Sequence, residues 1–197
     1  MRKLLTCLVL VAVMGTMLAS RATADGESWG LAELLHGFQA INASHAHFVE
    51  RRYLGMLSEP LKSSGTLAYT APDKLEKITL TPRSERLLLD GDRLTIDQGA
   101  DGQSRTLALS AHPEVAGVVE SIRGTLAGDP TALARFYTLS LTGGRGDWTL
   151  RLEPKDATLR KLVSWIRIAG SVAAIHTIDT QESDGDRTEM IILDDPS

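Results

Sequence analysis

Apolar side chains follow two different periods along this chain, and the change between them separates helix from strand. Leu31, Leu34, Leu35, Phe38 and Ile41 recur at the spacing of one helical face, which predicts a helix over 28–42 with Ser28 capping its start. From His45 the pattern shortens to strand-like runs over 45–56, 63–71, 75–82, 85–90, 93–97 and 104–110. Turn chemistry punctuates them: Ser63-Ser64-Gly65, Ala71-Pro72-Asp73, Pro82-Arg83-Ser84, Asp90-Gly91 and Asp101-Gly102. Val115, Val118, Val119, Ile122 and Leu126 then fall on one helical face over 113–127, with Gly128 as a stop, and Asp129-Pro130 opens a short helix reaching Arg135. Strands resume over 136–142, 147–153, 162–169, 172–182 and 187–194, with hairpin signals at Gly143-Gly144 and Asp184-Gly185.

About eleven strands with an N-terminal helix and inserted helices read as α+β. The expected form is a single large antiparallel sheet that accumulated twist curls into a barrel or half-barrel, with the helices on its concave face. Alternation marks strand faces: Leu67 and Tyr69, Leu139 and Leu141, and Trp148, Leu150 and Leu152 each share one. Whether such a face is an ordinary core or leaves a ligand cavity is not a matter periodicity decides. Asp-Gly-Asp-Arg occurs at 90–93 and again at 184–187, but the flanks do not match, so these are two hairpin tips rather than a repeat.

The first 24 residues have their own pattern. Arg2 and Lys3 precede a nearly continuous apolar run from Leu4 to Leu18, and Ala22-Thr23-Ala24 has the small-residue form of a cleavage site. The run is shorter than the roughly 20 residues a spanning helix needs, so the expectation is a signal peptide over 1–24 and an exported single domain over 25–197. Cys7, the chain's one cysteine, lies inside the run, which leaves the remainder without disulfide, thiol chemistry or thiolate metal site. Three of the 21 basic residues also lie in that segment and none of the 25 acidic ones, so the rest is acidic and poorly suited to nucleic acid or anionic lipid surfaces.

Catalytic signatures are sparse. His45 and His47 share a strand face and suit zinc, but no third ligand stands at matching spacing, and His36, His112 and His176 are isolated. No G-x-S-x-G, G-x-G-x-x-G, phosphate-loop or H-E-x-x-H motif occurs. The acidic pairs Asp90 with Asp92 and Asp184 with Asp186 lack the further oxygens of a calcium loop and read as turns. No catalytic residue, metal or cofactor is expected.

The order of motifs resembles the LolA-like family of periplasmic lipoprotein carriers. The likeness runs from the N-terminal helix through Phe48, Gly65-x-Leu67-x-Tyr69-x-x-Pro72, Asp90-Gly91 and the helix near 113–127 to Trp148-x-Leu150-x-Leu152-x-Pro154 and the hairpin at Asp184-Gly185. It implies an unclosed half-barrel whose apolar concave face holds the acyl chains of lipoproteins or related lipids under a helical lid. Inner-membrane donor and outer-membrane acceptor proteins, a periplasmic location and a monomeric state follow from it. On that reading the cavity residues are Phe48, Leu67, Tyr69, Val118, Ile122, Leu139, Leu141, Trp148, Leu150 and Trp165. The chain departs from the best-known carriers in having Ala71 where a basic residue before the proline helps hold the lid, and Leu75-Glu76-Lys77 where aromatic residues are common. Open alternatives are an envelope binding or sensor module on the same fold, a carrier of a free lipid or acylated pigment precursor, and a hydrolase using His45, His47 or His176.

Overall fold

Twist and hairpin chemistry bring the strands into one eleven-stranded antiparallel sheet, in the order β6-β5-β4-β3-β2-β1-β11-β10-β9-β8-β7. The computed structural model describes residues 29–99 and 103–194; the expected signal peptide and its cleavage site lie outside them. The strands are β1 (Ala43–Tyr53), β2 (Leu61–Thr70), β3 (Lys74–Thr81), β4 (Glu85–Asp90), β5 (Arg93–Gln98), β6 (Gln103–Ala108), β7 (Tyr137–Gly144), β8 (Asp147–Pro154), β9 (Val163–Ser171), β10 (Ala174–Glu182) and β11 (Arg187–Asp194). Two meanders, β1–β6 and β7–β11, are joined where the first strand pairs with the last, Phe48 opposite Ile192 and Glu50 opposite Met190. The sheet is not closed, so β6 and β7 are its two edges.

The helices are α1 (Leu31–Gln39), α2 (Pro113–Leu126) and α3 (Pro130–Phe136). Because α2 and α3 connect one edge strand to the other, they must cross a face of the sheet. Helix α1 is shorter than its apolar period predicts: it starts after Gly30, whose N–H donates to the Glu33 carboxylate, and Ile41 already lies in the turn that enters β1. Asp129 caps α3 as expected, its carboxylate accepting from the Thr131 and Ala132 N–H groups at 2.9 and 3.0 Å. Ser63-Ser64-Gly65, read as a turn, lies inside β2, and the β1–β2 connection is instead 54–60. Gly65 is there for a different reason: at a register shift between β2 and β3, a Cβ would lie 1.8 Å from the Ile78 carbonyl oxygen.

Cover over the inner face is uneven. On the β7–β10 half, Trp148, Leu150, Leu152, Ile166 and Ile168 are fully buried beneath Leu34, Leu35 and Phe38 of α1 and Leu133 of α3. Phe38 meets Trp148 edge to face, ring centroids 5.9 Å apart. Helix α2 comes down closely on this side because two of its turns carry glycine: a Cβ at Gly117 would sit 2.7 Å from Leu159, and one at Gly124 would sit 3.0 Å from Leu133. The buried Tyr137 hydroxyl donates to the Gly117 carbonyl at 2.9 Å, and burial pushes its phenol pKa up. On the β2–β5 half the described residues form no comparable layer, and Leu67, Leu75, Leu87 and Leu94 are only half-buried.

Candidate functional site

The gap between α2 and the less-covered half of the sheet is a cavity of about 490 Å³. Its floor is inner-facing side chains of five antiparallel strands, among them Leu67, Tyr69, Leu75, Leu87, Leu89 and Leu94, continued by Ile178, Met190 and Ile192. Val118, Val119, Ile122 and Leu126 of α2 form the roof, and Phe38 and Ile41 close the side toward α1. Tyr69 is buried with its hydroxyl 3.5 Å from the Pro72 carbonyl; burial, then the nearby Asp73 carboxylate, pushes its phenol pKa up. A second hollow, of about 660 Å³, is an open depression over Asp129–Arg135 made by one short helix, with no converging chemistry.

Polar groups interrupt the apolar lining, among them His45, Glu76, which pairs with Arg86, and the ion pair of Glu50 and Lys77. The Lys77 ammonium donates to Glu50 Oε2 at 2.6 Å and lies 4.9 Å from the centroid of the Phe48 ring, while the Ser63 hydroxyl donates to Glu50 Oε1 at 3.2 Å. The roof is tied down by polar contacts as well as packing. Arg123 of α2 donates to the Gly91 carbonyl in the β4–β5 turn at 2.8 Å and to the buried Glu120 at 2.9 Å through Nε. Asp92 in the same turn accepts from the backbone N–H and hydroxyl of Ser110, just ahead of α2.

Of the residues the sequence singled out, Leu67, Tyr69, Val118 and Ile122 line this cavity. Phe48 is on the same face but buried beneath Lys77. Trp148 and Leu150 also face inward but belong to the packed half, where they fill space instead of bordering it; Leu139 and Leu141 flank that core from the edge strand. Trp165 departs from the expectation: Ile166 and Ile168 take the inward positions of β9, so the alternation sends Trp165 to the outer face, where Arg151 and Arg167 stand 5.0 and 4.8 Å from its ring. Missed were Leu75, Leu87, Leu89 and Leu94. The run Leu87-Leu88-Leu89 hides its phase, and Lys77 breaks the apolar alternation of β3.

His45 and His47 are exposed, and among the described residues the one cluster with metal-ligand spacing is Glu182, Asp184 and Asp186 in the β10–β11 hairpin. Those carboxylates serve the hairpin: Glu182 accepts from Arg52, Asp186 from the Gly55 N–H, and Asp184 from the Asp186 N–H. Among the described residues no helix is long and apolar enough to cross a membrane.

An open antiparallel sheet whose helices leave an apolar cavity is the architecture of a lipid-binding or carrier class. Over residues 23–194 the sequence matches the family described as Outer membrane lipoprotein carrier protein LolA-like, and the chain belongs to that family, a binding and carrier family rather than an enzymatic one. Among solved structures it is similar to a LolA superfamily protein from Nitrosomonas europaea, with 12% identity, TM-score 0.43, and coverage of 83% of this chain and 93% of that one. It is also similar to an outer membrane lipoprotein-sorting protein domain from Vibrio parahaemolyticus, with 11% identity, TM-score 0.43, and coverage of 83% and 89%. Against MucB the values are 13% identity and TM-score 0.45, over 83% of this chain and 57% of that one. No curated protein sequence matches it.

Proposed function

We propose that the protein is a periplasmic carrier that holds acyl chains of lipoproteins or related lipids in the cavity under α2 and moves them toward the outer membrane. The observation that carries this reading is the 490 Å³ apolar space left between α2 and the β2–β5 half of an otherwise well-packed sheet. Each acyl methylene buried there contributes about 0.8 kcal/mol, so part of a chain is enough for useful affinity. Leu67, Tyr69, Val118 and Ile122 are the proposed acyl contacts. Residues 1–24 act as the export signal and 25–197 as a single carrier domain, working between an inner-membrane donor and an outer-membrane acceptor. The chemistry required is binding and release, with no catalytic group.

Native mass spectrometry of protein exported to the periplasm, followed by extraction and identification of bound lipid, tests this. A co-purifying acyl lipid or lipopeptide supports the carrier and separates lipoprotein cargo from free lipid. A clean apo mass that gains no adduct on addition of acyl lipid overturns it.

A further inference from the structure

Among the described residues Glu50 and Lys77 are the ion pair both of whose members border the cavity, and its position is not that of a surface ion pair. One register row across the inner face reads Leu141, Leu150, Ile168, Ile178, Met190 and then Glu50. A second reads Leu67, Lys77, Leu87 and Ile96. Each charged residue therefore stands where its own row would carry another aliphatic side chain. Both border the cavity with side chains 17% and 23% exposed. Removing charge from water to this extent is unfavourable unless the partners and further hydrogen bonds compensate, and aliphatic residues of similar volume fill such a site at lower cost.

The pair can recognise something that aliphatic residues cannot. An ammonium has three donors and Lys77 gives one to Glu50; the carboxylate takes Lys77 on one oxygen and Ser63 on the other, with lone pairs to spare. Beside an acyl-binding floor the site thus presents a donor and an acceptor together, at zero net charge. An ester or amide carbonyl accepts from Lys77, while a neighbouring hydroxyl or N–H donates to Glu50. A free carboxylate gains Lys77 but is set against Glu50, and a quaternary ammonium meets the reverse conflict. Building on the carrier reading, we infer that Glu50 and Lys77 form a headgroup subsite selecting acyl chains joined through an uncharged ester or amide over fatty-acid anions and cationic amphiphiles.

Displacement of a fluorescent acyl probe by 1-monolauroylglycerol, laurate and dodecyltrimethylammonium, at about pH 8 where the fatty acid is ionised in water, tests this on the full-length exported protein. The wild type is expected to bind the glycerol ester about tenfold more tightly than either ion, the worth of one hydrogen bond to a charged group. E50Q leaves Lys77 uncompensated and shifts the order toward laurate; K77M shifts it toward the cationic amphiphile. A wild type that binds laurate as well as the ester, or an order unchanged in folded E50Q and K77M, overturns the subsite while leaving the carrier standing. Failure of the wild type to take up the probe or any amphiphile overturns both. If one variant does not fold by circular dichroism, the wild-type order and the other variant decide.

Discussion

The guanidinium of Arg123 donates to the main-chain carbonyl of Gly91 at 2.8 Å, tying the last turn of α2 to the tip of the β4–β5 hairpin. We expect Arg123→Met to lower stability by about 1–3 kcal/mol, because it also deprives the buried Glu120 of its partner. Amide exchange should quicken selectively over 113–126 in hydrogen-exchange mass spectrometry. Unchanged protection there would mean that apolar packing alone holds the roof.

Val118 and Leu150 both face the interior, but only Val118 borders empty space. Val118→Trp should therefore fill the cavity, leave the urea midpoint unchanged or raised, and reduce acyl-probe uptake several-fold. Leu150→Ala removes packing beneath α1 and should cost about 2–5 kcal/mol. Full uptake by a folded Val118→Trp protein would count against this cavity as the acyl site.

Trp165 lies on the outer face between Arg151 and Arg167. Trp165→Ala should leave acyl-probe affinity as in the wild type, while loss of the two cation–π contacts lowers stability by about 1 kcal/mol. A marked loss of binding in the folded variant would contradict the placement of this residue away from the cavity.

Burial raises the phenol pKa of Tyr137, so the native state holds that proton to higher pH than the unfolded chain does. The stabilisation is fully present below the unfolded value of about 10 and is lost as pH rises through the native one. Urea midpoints should accordingly begin to fall near about pH 10 and keep falling above it. Tyr137→Phe should flatten that limb, at a cost of about 1 kcal/mol at neutral pH for the hydrogen bond to Gly117. An equally steep alkaline limb in the variant would assign the loss to other groups, Tyr69 among them.

Most elements were legible because each is specified locally. Asp129-Pro130 starts α3, Gly128 at φ 62 follows α2, and Gly91 and Gly185, at φ 57 and 99, turn their hairpins. Ser63-Ser64-Gly65 misled because a glycine that admits a neighbouring backbone has the same letter as one that turns the chain. Trp165 misled because its neighbours Ile166 and Ile168 set the phase of β9, and an aromatic residue braced by two arginines is stable on an outer face.

By itself the sequence determined the class of fold, the two meanders and the amphipathic α2, all consequences of period and turn chemistry within a few residues. Only the tertiary structure decided that β1 closes against β11 and that α2 and α3 must cross from edge to edge of the sheet. It also decided that their cover stops short over β2–β5, leaving a cavity, and that Glu50 and Lys77 meet inside it. Those outcomes depend on contacts between residues far apart in the chain, such as Phe48 with Ile192 and Lys77 with Glu50. The same alternation of apolar side chains is satisfied by a filled interior and by a hollow one; how closely the helices approach is what distinguishes them.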